Sequence, residues 1–181
     1  PNIGVTTLMD NLIHYMPAAN QVAAPAAVNP KNGEAVKVGQ DGKFAGQVIK
    51  TVIDQFGKYS IIKVYRGSLS VDTALYNPNQ EKNEKGTAPG LMRGKKVTPM
   101  DKLIAGDIGA LSKLQYTATG DTLCDPSDPV QFAAIEFPKP CISLAVSAKK
   151  QGEEDKVFAG LNKLLEEDPT MAIEKNVETG D

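Results

Sequence analysis

Four sets of side chains in this 181-residue chain are of types that could do chemistry. Glu166-Glu167-Asp168 sets three carboxylates in a row, which suits acid/base work or a cation, or simply forms a solvated helix end. Carboxylates at a helix C-terminus oppose the backbone dipole, so their presence there asks for another cause. Arg93, Lys95 and Lys96 flank Gly94. A missing Cβ lets a phosphate approach the backbone, and clustered cations gain by counterion release; the plain alternative is a solvated loop. His14 is the single histidine. Without partners for a metal or a general base, it reads as a solvent-facing helical residue. Cys124 and Cys141 form no C-x-x-C and read as structural thiols in a reducing compartment.

Other chemistry has no residues to carry it. The chain contains no G-x-x-x-x-G-K-[ST] phosphate loop and no N-K-x-D, so nothing in it is built to hold or hydrolyse GTP. No Cys/His cluster has metal spacing. The expectation is a segment without catalytic centre, cofactor site or metal site. Aromatics are 6% with no Trp, which leaves few stacking platforms for single-stranded nucleic acid. The net charge of -2 argues against a uniformly basic RNA binder. Residues 141–181 hold 5 Lys and 9 acids, leaving 15 basic and 13 acidic residues before them. Any RNA contact is therefore a local patch in the first part. No apolar run reaches the ~20 residues of a membrane span, and no signal-peptide core is present. With Pro rather than Met at position 1, the reading is a soluble, cytoplasmic, excised piece.

These groups need elements to hold them. Val5, Leu8, Met9, Leu12, Ile13 and Met16 fall at helical spacing, with Thr6 or Thr7 as a cap and Pro17 as a stop. Residues 18–43 read as a linker with turns. From Phe44 onward, β-branched runs to Ile53 and from Tyr59 to Arg66 are followed by corners at Gly67, Asp72 and Asn77-Pro78. Short strands punctuated at about 8–12 residues indicate a sandwich or barrel. Residues 79–90 read as an exposed polar loop. Gly106-Asp107 and Gly120-Asp121 bracket a strand carrying Ile108, Ala110, Leu111 and Leu114, with a further short strand at Thr122-Leu123. A proline-punctuated crossing follows to Pro140. Ile142, Leu144, Val146 and Ala148 then alternate as a half-buried strand. Glu153-Glu154-Asp155 opens a helix with its stripe at Val157, Phe158, Leu161, Leu164 and Leu165; Pro169 ends it, and residues 171–177 begin a strand.

Several of these stretches carry a resemblance. Ala105-Gly106-Asp107-Ile108 with Thr119-Gly120-Asp121-Thr122-Leu123 resembles the end of the β-barrel domain II of elongation factor G. Lys63-Val64-Tyr65-Arg66-Gly67-Ser68-Leu69 is similar to that domain's strand-turn-strand. Residues 137–146 (Phe-Pro-Lys-Pro-Cys-Ile-Ser-Leu-Ala-Val) resemble the entry into domain III, and Glu166-Glu167-Asp168-Pro169-Thr170 the end of its first helix. Residues 1–17 look like the last helix of the family's G domain. Where many members carry a His-containing segment, this chain has Arg93-Gly94-Lys95-Lys96, the mark of a divergent paralogue.

The resemblance implies a mainly β architecture: a Greek-key translation-factor barrel at 44–128, a linker at 129–140, and a truncated ferredoxin-like βαβ unit at 141–181. It implies a ribosome-binding internal piece of a GTPase that drives translocation of tRNA and mRNA. GTP and Mg would lie in a G domain outside this piece. Glu167, Asp168 and Thr170 match an interface with that G domain. Small-subunit ribosomal RNA is the implied partner, with Arg93, Lys95 and Lys96 the candidate contacts. A remnant βαβ buries too little to stand alone, so it docks on another molecule, a second copy included, or frays. A ribosomal protection protein or non-translocating paralogue is the rival within the family. A free-standing barrel binding module is the rival outside it.

Overall fold

A computed structural model describes residues 2–54, 57–150 and 152–174. The first helix, α1, spans Val5–Tyr15. Its start is made by Gly4 at φ 81 without a side-chain cap, so neither Thr6 nor Thr7 caps it. Its apolar residues stand exposed, from Leu12 at 45% to Ile13 at 79%, because no other described element packs on them.

Strands follow in chain order: β1 (Ala27–Val28), β2 (Ala35–Val36), β3 (Ala45–Asp54), β4 (Gly57–Arg66), β5 (Ser68–Ser70), β6 (Leu75–Asn77), β7 (Lys82–Glu84), β8 (Gly90–Arg93), β9 (Lys96–Pro99), β10 (Lys102–Ile104), β11 (Ile108–Ser112), β12 (Thr122–Cys124) and β13 (Gln131–Phe132). The second helix, α2, is Glu154–Glu167. The main sheet runs β7-β6-β12-β3-β4-β11-β8-β9, and β5 pairs with β10 as a separate ribbon. Every ladder among the described residues is antiparallel. In β4 the inward side chains are Ser60, Ile62, Val64 and Arg66, the period-2 alternation of a half-buried strand. Register shifts at Ala45/Gly46 and Val48/Lys50 bend β3 where it must curl.

The sheet closes around one core rather than through an unbroken ladder. Phe44, Val48, Ile62, Val64, Leu69, Leu75, Leu103, Leu111, Leu114 and Leu123 form that core, so the β5–β10 ribbon and the main sheet share it. Each fully buried Leu or Ile contributes about 1.5–3 kcal/mol relative to exposure. Gly67, at φ 67, turns β4 into β5, as the strand-turn-strand reading expected. Gly106 at φ 101 makes the corner into β11 and Gly120 at φ 95 the corner into β12; β11 ends at Ser112, so Leu114, expected on the strand, lies in the loop between them.

Four expectations change. Residues 79–90 are not simply a loop: β7 lies within them, pairs with β6 and turns Glu84 inward. A charged three-residue edge strand carries no alternation for a sequence to show. The segments 18–43 and 129–140, read as linkers, contain β1, β2 and β13, which form a three-stranded sheet. That sheet covers a second core of Ala27, Ala45, Cys124, Val130 and Phe132, with the Tyr65 ring 5.0 Å from that of Phe132. Two-residue strands are too short to register as periodic; long-range packing makes them.

The strand expected at 142–148 does not form. Ile142 and Leu144 are 83% and 85% exposed, and no described strand pairs with them. Alternation permits a strand, but without a partner ladder the backbone keeps its hydrogen bonds to water. Residues 171–174 are likewise irregular, and the rest of that expected strand lies outside the described residues. Between them α2 forms as read, with Glu154 and Asp155 in its first turn and Asp168 as its C-cap.

Candidate functional site

The cationic set is brought together by a tight hairpin. Arg93 closes β8, Lys96 opens β9, and the two are cross-strand partners. Gly94 at φ 60 supplies the left-handed residue that a two-residue turn needs. Arg93, Lys95 and Lys96 are all exposed, and none of the salt bridges among the described residues includes them. Three cations on one short tip, without carboxylate partners, repel one another and favour an anion from outside. The geometry suits phosphate contact.

The acidic set is divided in two. Glu167 Oε1 accepts the backbone N–H of Ile53 at 2.5 Å, which places the end of α2 against β3. Glu166 Oε2 pairs with Lys58 Nζ of β4 at 2.9 Å. Asp168 turns back on its own chain: its Oδ1 accepts the Thr170 hydroxyl at 2.6 Å and the Thr170 amide at 3.0 Å. Those two bonds to the charged form hold the Asp168 carboxyl below the usual carboxylate range. Glu167 and Thr170 are half-buried and Asp168 is exposed, so Asp168 alone of the three stands fully open to another surface. Lys156 pairs with Glu153, the N-cap residue of α2, at 3.3 Å.

Behind these surfaces lies a buried polar lattice that sequence reading missed. Glu84 accepts from the Gln115 amide at 3.0 Å, the Tyr116 amide at 2.7 Å and the Thr117 hydroxyl at 2.8 Å. Asp121 accepts from Asn77 Nδ2 at 2.9 Å, Gln80 Nε2 at 3.3 Å and the Ala118 amide at 3.0 Å. Together they hold the loop between β11 and β12 closed over the core. Arg66 is buried as well; its guanidinium pairs with Asp128 at 2.9 Å and donates to Lys43 O at 2.8 Å. Every buried acceptor described has donors, so these carboxylates are structural rather than reactive. The Gly120-Asp121 and Asn77-Pro78 corners hinted at part of this lattice; nothing near Glu84 did.

His14 is exposed on α1 and stacks edge-on with Tyr15, with ring centroids 4.7 Å apart. Cys124 is buried and Cys141 exposed, and both thiols are free. Burial pushes the Cys124 thiol upward in pKa.

Comparison with known proteins then decides the family. The model of elongation factor G domain 2 matches residues 43–126, and that of elongation factor G domain III matches residues 137–181. The two matches follow one another in the order expected from the motifs. The chain belongs to the elongation factor G family. Residues 43–126 are its domain II barrel, and residues 137–181 belong to its domain III α/β unit. The same architecture recurs in a crystal structure of a protein from Thermus thermophilus, with a TM-score of 0.71 at 24% identity over 98% of this chain. This chain spans 24% of the length of that protein. Among the described residues no helix is long and apolar enough to cross a membrane.

Proposed function

We propose that this chain is a mechanical segment of a cytoplasmic translational GTPase that binds the ribosome and promotes GTP-dependent movement of tRNA and mRNA. The observation that carries the reading is the succession of domain II and domain III on one chain. On this reading residues 1–17 end a G domain, 44–128 dock on small-subunit RNA, and 141–181 relay the nucleotide state to further domains. GTP and Mg would be held by that G domain, since these residues include no phosphate loop. Arg93, Lys95 and Lys96 would meet RNA phosphates, and their exposure and lack of carboxylate partners support that role. Asp168, with Glu167 and Thr170 beside it, would face the G domain. Ile142 and Leu144, bare in the structure, support self-association through residues 141–181 as an accompanying proposal.

The test is sedimentation of the full-length protein with ribosomes, with and without a non-hydrolysable GTP analogue. Binding that depends on the analogue is expected. Reversing the charge of Arg93, Lys95 and Lys96 should weaken it and flatten the log-log salt dependence by about 2–3 units, one phosphate for each cation. Failure to bind under any nucleotide condition would sink the reading. The Arg-Gly-Lys-Lys tip favours a second reading, a divergent paralogue that binds ribosomes without translocating; a translocation assay on the same protein separates the two.

A further inference from the structure

Apolar packing holds α2 on the barrel only weakly. None of its residues is fully buried, and Phe158 and Leu164 are 56% and 46% exposed. Ala118 and Thr119 face Asn162, Leu165, Glu166 and Pro169 across an open cleft, so the helix does not seal onto the sheet. The chain leading to it, residues 141–147, is irregular and exposed, which leaves the helix on a pliable tether.

The polar contacts lie at one end. β12 pairs with β3 only from Ala45 to Gln47, and Val48 then bonds to Asp121 and Gly120. Beyond that point no described strand lies along that edge of β3. The Ile53 amide points out of the open edge, and the Glu167 carboxylate takes the place of the missing strand. Lys58, next to Ile53 across the ladder, pairs with Glu166, and the charge of Lys50 reaches Asp168. Meanwhile Glu166, Glu167 and Asp168 repel one another and oppose the helix dipole, with no basic residue in the last turn. Donors on the barrel relieve both effects.

We propose that the acidic end of α2 and the β3–β4 ribbon form a salt-sensitive latch, which holds the helix against the barrel and frees it to swing when the carboxylates are screened. The charges are partly exposed, at 50% for the Glu166 side chain and 29% for Lys58, so salt reaches them. The proposal concerns contacts within this chain and stands whether or not the parent binds ribosomes.

Amide exchange at Ile53, followed by NMR in the 181-residue chain, tests it. Raising NaCl to ~1 M should speed exchange of the Ile53 amide by about tenfold while the core amide of Ile62 is unchanged. Glu167→Ala should do the same at low salt with helical circular dichroism retained. Lys58→Glu should loosen the contact, and adding Glu166→Lys should restore it. An Ile53 rate that ignores salt overturns the latch, as does an acceleration shared equally by Ile62. Should Glu167→Ala melt α2, the salt series on the unmodified chain decides alone.

Discussion

Asn77 and Asp121, 44 residues apart, meet inside the barrel, where Asn77 Nδ2 donates to Asp121 Oδ2 at 2.9 Å. The same Asn77 amide reaches Thr117 at 3.2 Å, and its oxygen accepts the Asn79 and Gln80 amides at 3.0 and 3.1 Å. One side chain thus ties the β6–β7 turn to the loop that precedes β12. Asp121→Ala would remove the acceptor of the Gln80 side chain and the Ala118 amide and leave Asn77 Nδ2 with Thr117 alone. The expected loss is about 2–4 kcal/mol in urea unfolding, with the denaturant slope unchanged. A loss below about 0.5 kcal/mol would show the lattice to be dispensable.

Gly67 and Gly94 share a positive φ, 67 and 60, but not their surroundings. A Cβ on Gly67 would lie 2.5 Å from Gly42 O and 2.9 Å from the Lys43 carbonyl carbon, both backbone atoms that cannot step aside. On Gly94 it would meet nothing within 4 Å. Gly94→Ala should therefore carry only the left-handed penalty, about 1–2 kcal/mol. Gly67→Ala adds a backbone clash and should lose at least about 2 kcal/mol more. Paired thermal melts distinguish the two, and equal shifts would contradict the close approach at Gly67.

The two thiols should separate cleanly. Cys124 is buried and held neutral to higher pH than an ordinary thiol, first by burial, which outweighs the Val130 backbone hydrogen bond and the charge of Arg66. Cys141 is exposed. An aromatic disulfide reagent at neutral pH should titrate one thiol quickly in the native chain and the second only after denaturant is added. Rapid reaction of both would place Cys124 at the surface.

The Asp168–Thr170 turn should be acid-labile at an unusually low pH. The folded-state pKa of Asp168 is depressed, first by the Thr170 hydroxyl and then by its amide. The turn's contribution is then fully present above the ordinary carboxylate range and is lost as pH falls through the lower, folded value. The Thr170 amide shift, followed by NMR, should titrate below the usual Asp range, and Asp168→Asn should abolish that titration.

Legibility divides along the distance between partners. Where the signal is local, the residues alone were enough: the β-branched run from Tyr59 to Arg66, the corner at Gly67, the Gly-Asp corners at Gly106 and Gly120, and the stripe of α2. The succession of short strands and the cationic cluster at Arg93, Lys95 and Lys96 were visible for the same reason, since a turn glycine and its neighbours act within four residues, whereas the choice of a barrel over a sandwich came from the family resemblance. Periodicity and φ preference are properties of a few consecutive residues, and no distant contact has to be known to apply them.

Tertiary structure alone decided the rest. Glu84 is a loop acid until the Thr117 hydroxyl, 33 residues away, donates to it in the interior, and Glu167 is a helix-end acid until Ile53, 114 residues away, offers an amide. The pairing of Ala27 with Phe132 makes a sheet from two segments that read as linkers. Conversely, the alternation at Ile142 and Leu144 finds no ladder and stays irregular and exposed. A buried charge or a two-residue strand is stable only when chain closure brings its partner to it, and that energy is absent from any short window of sequence.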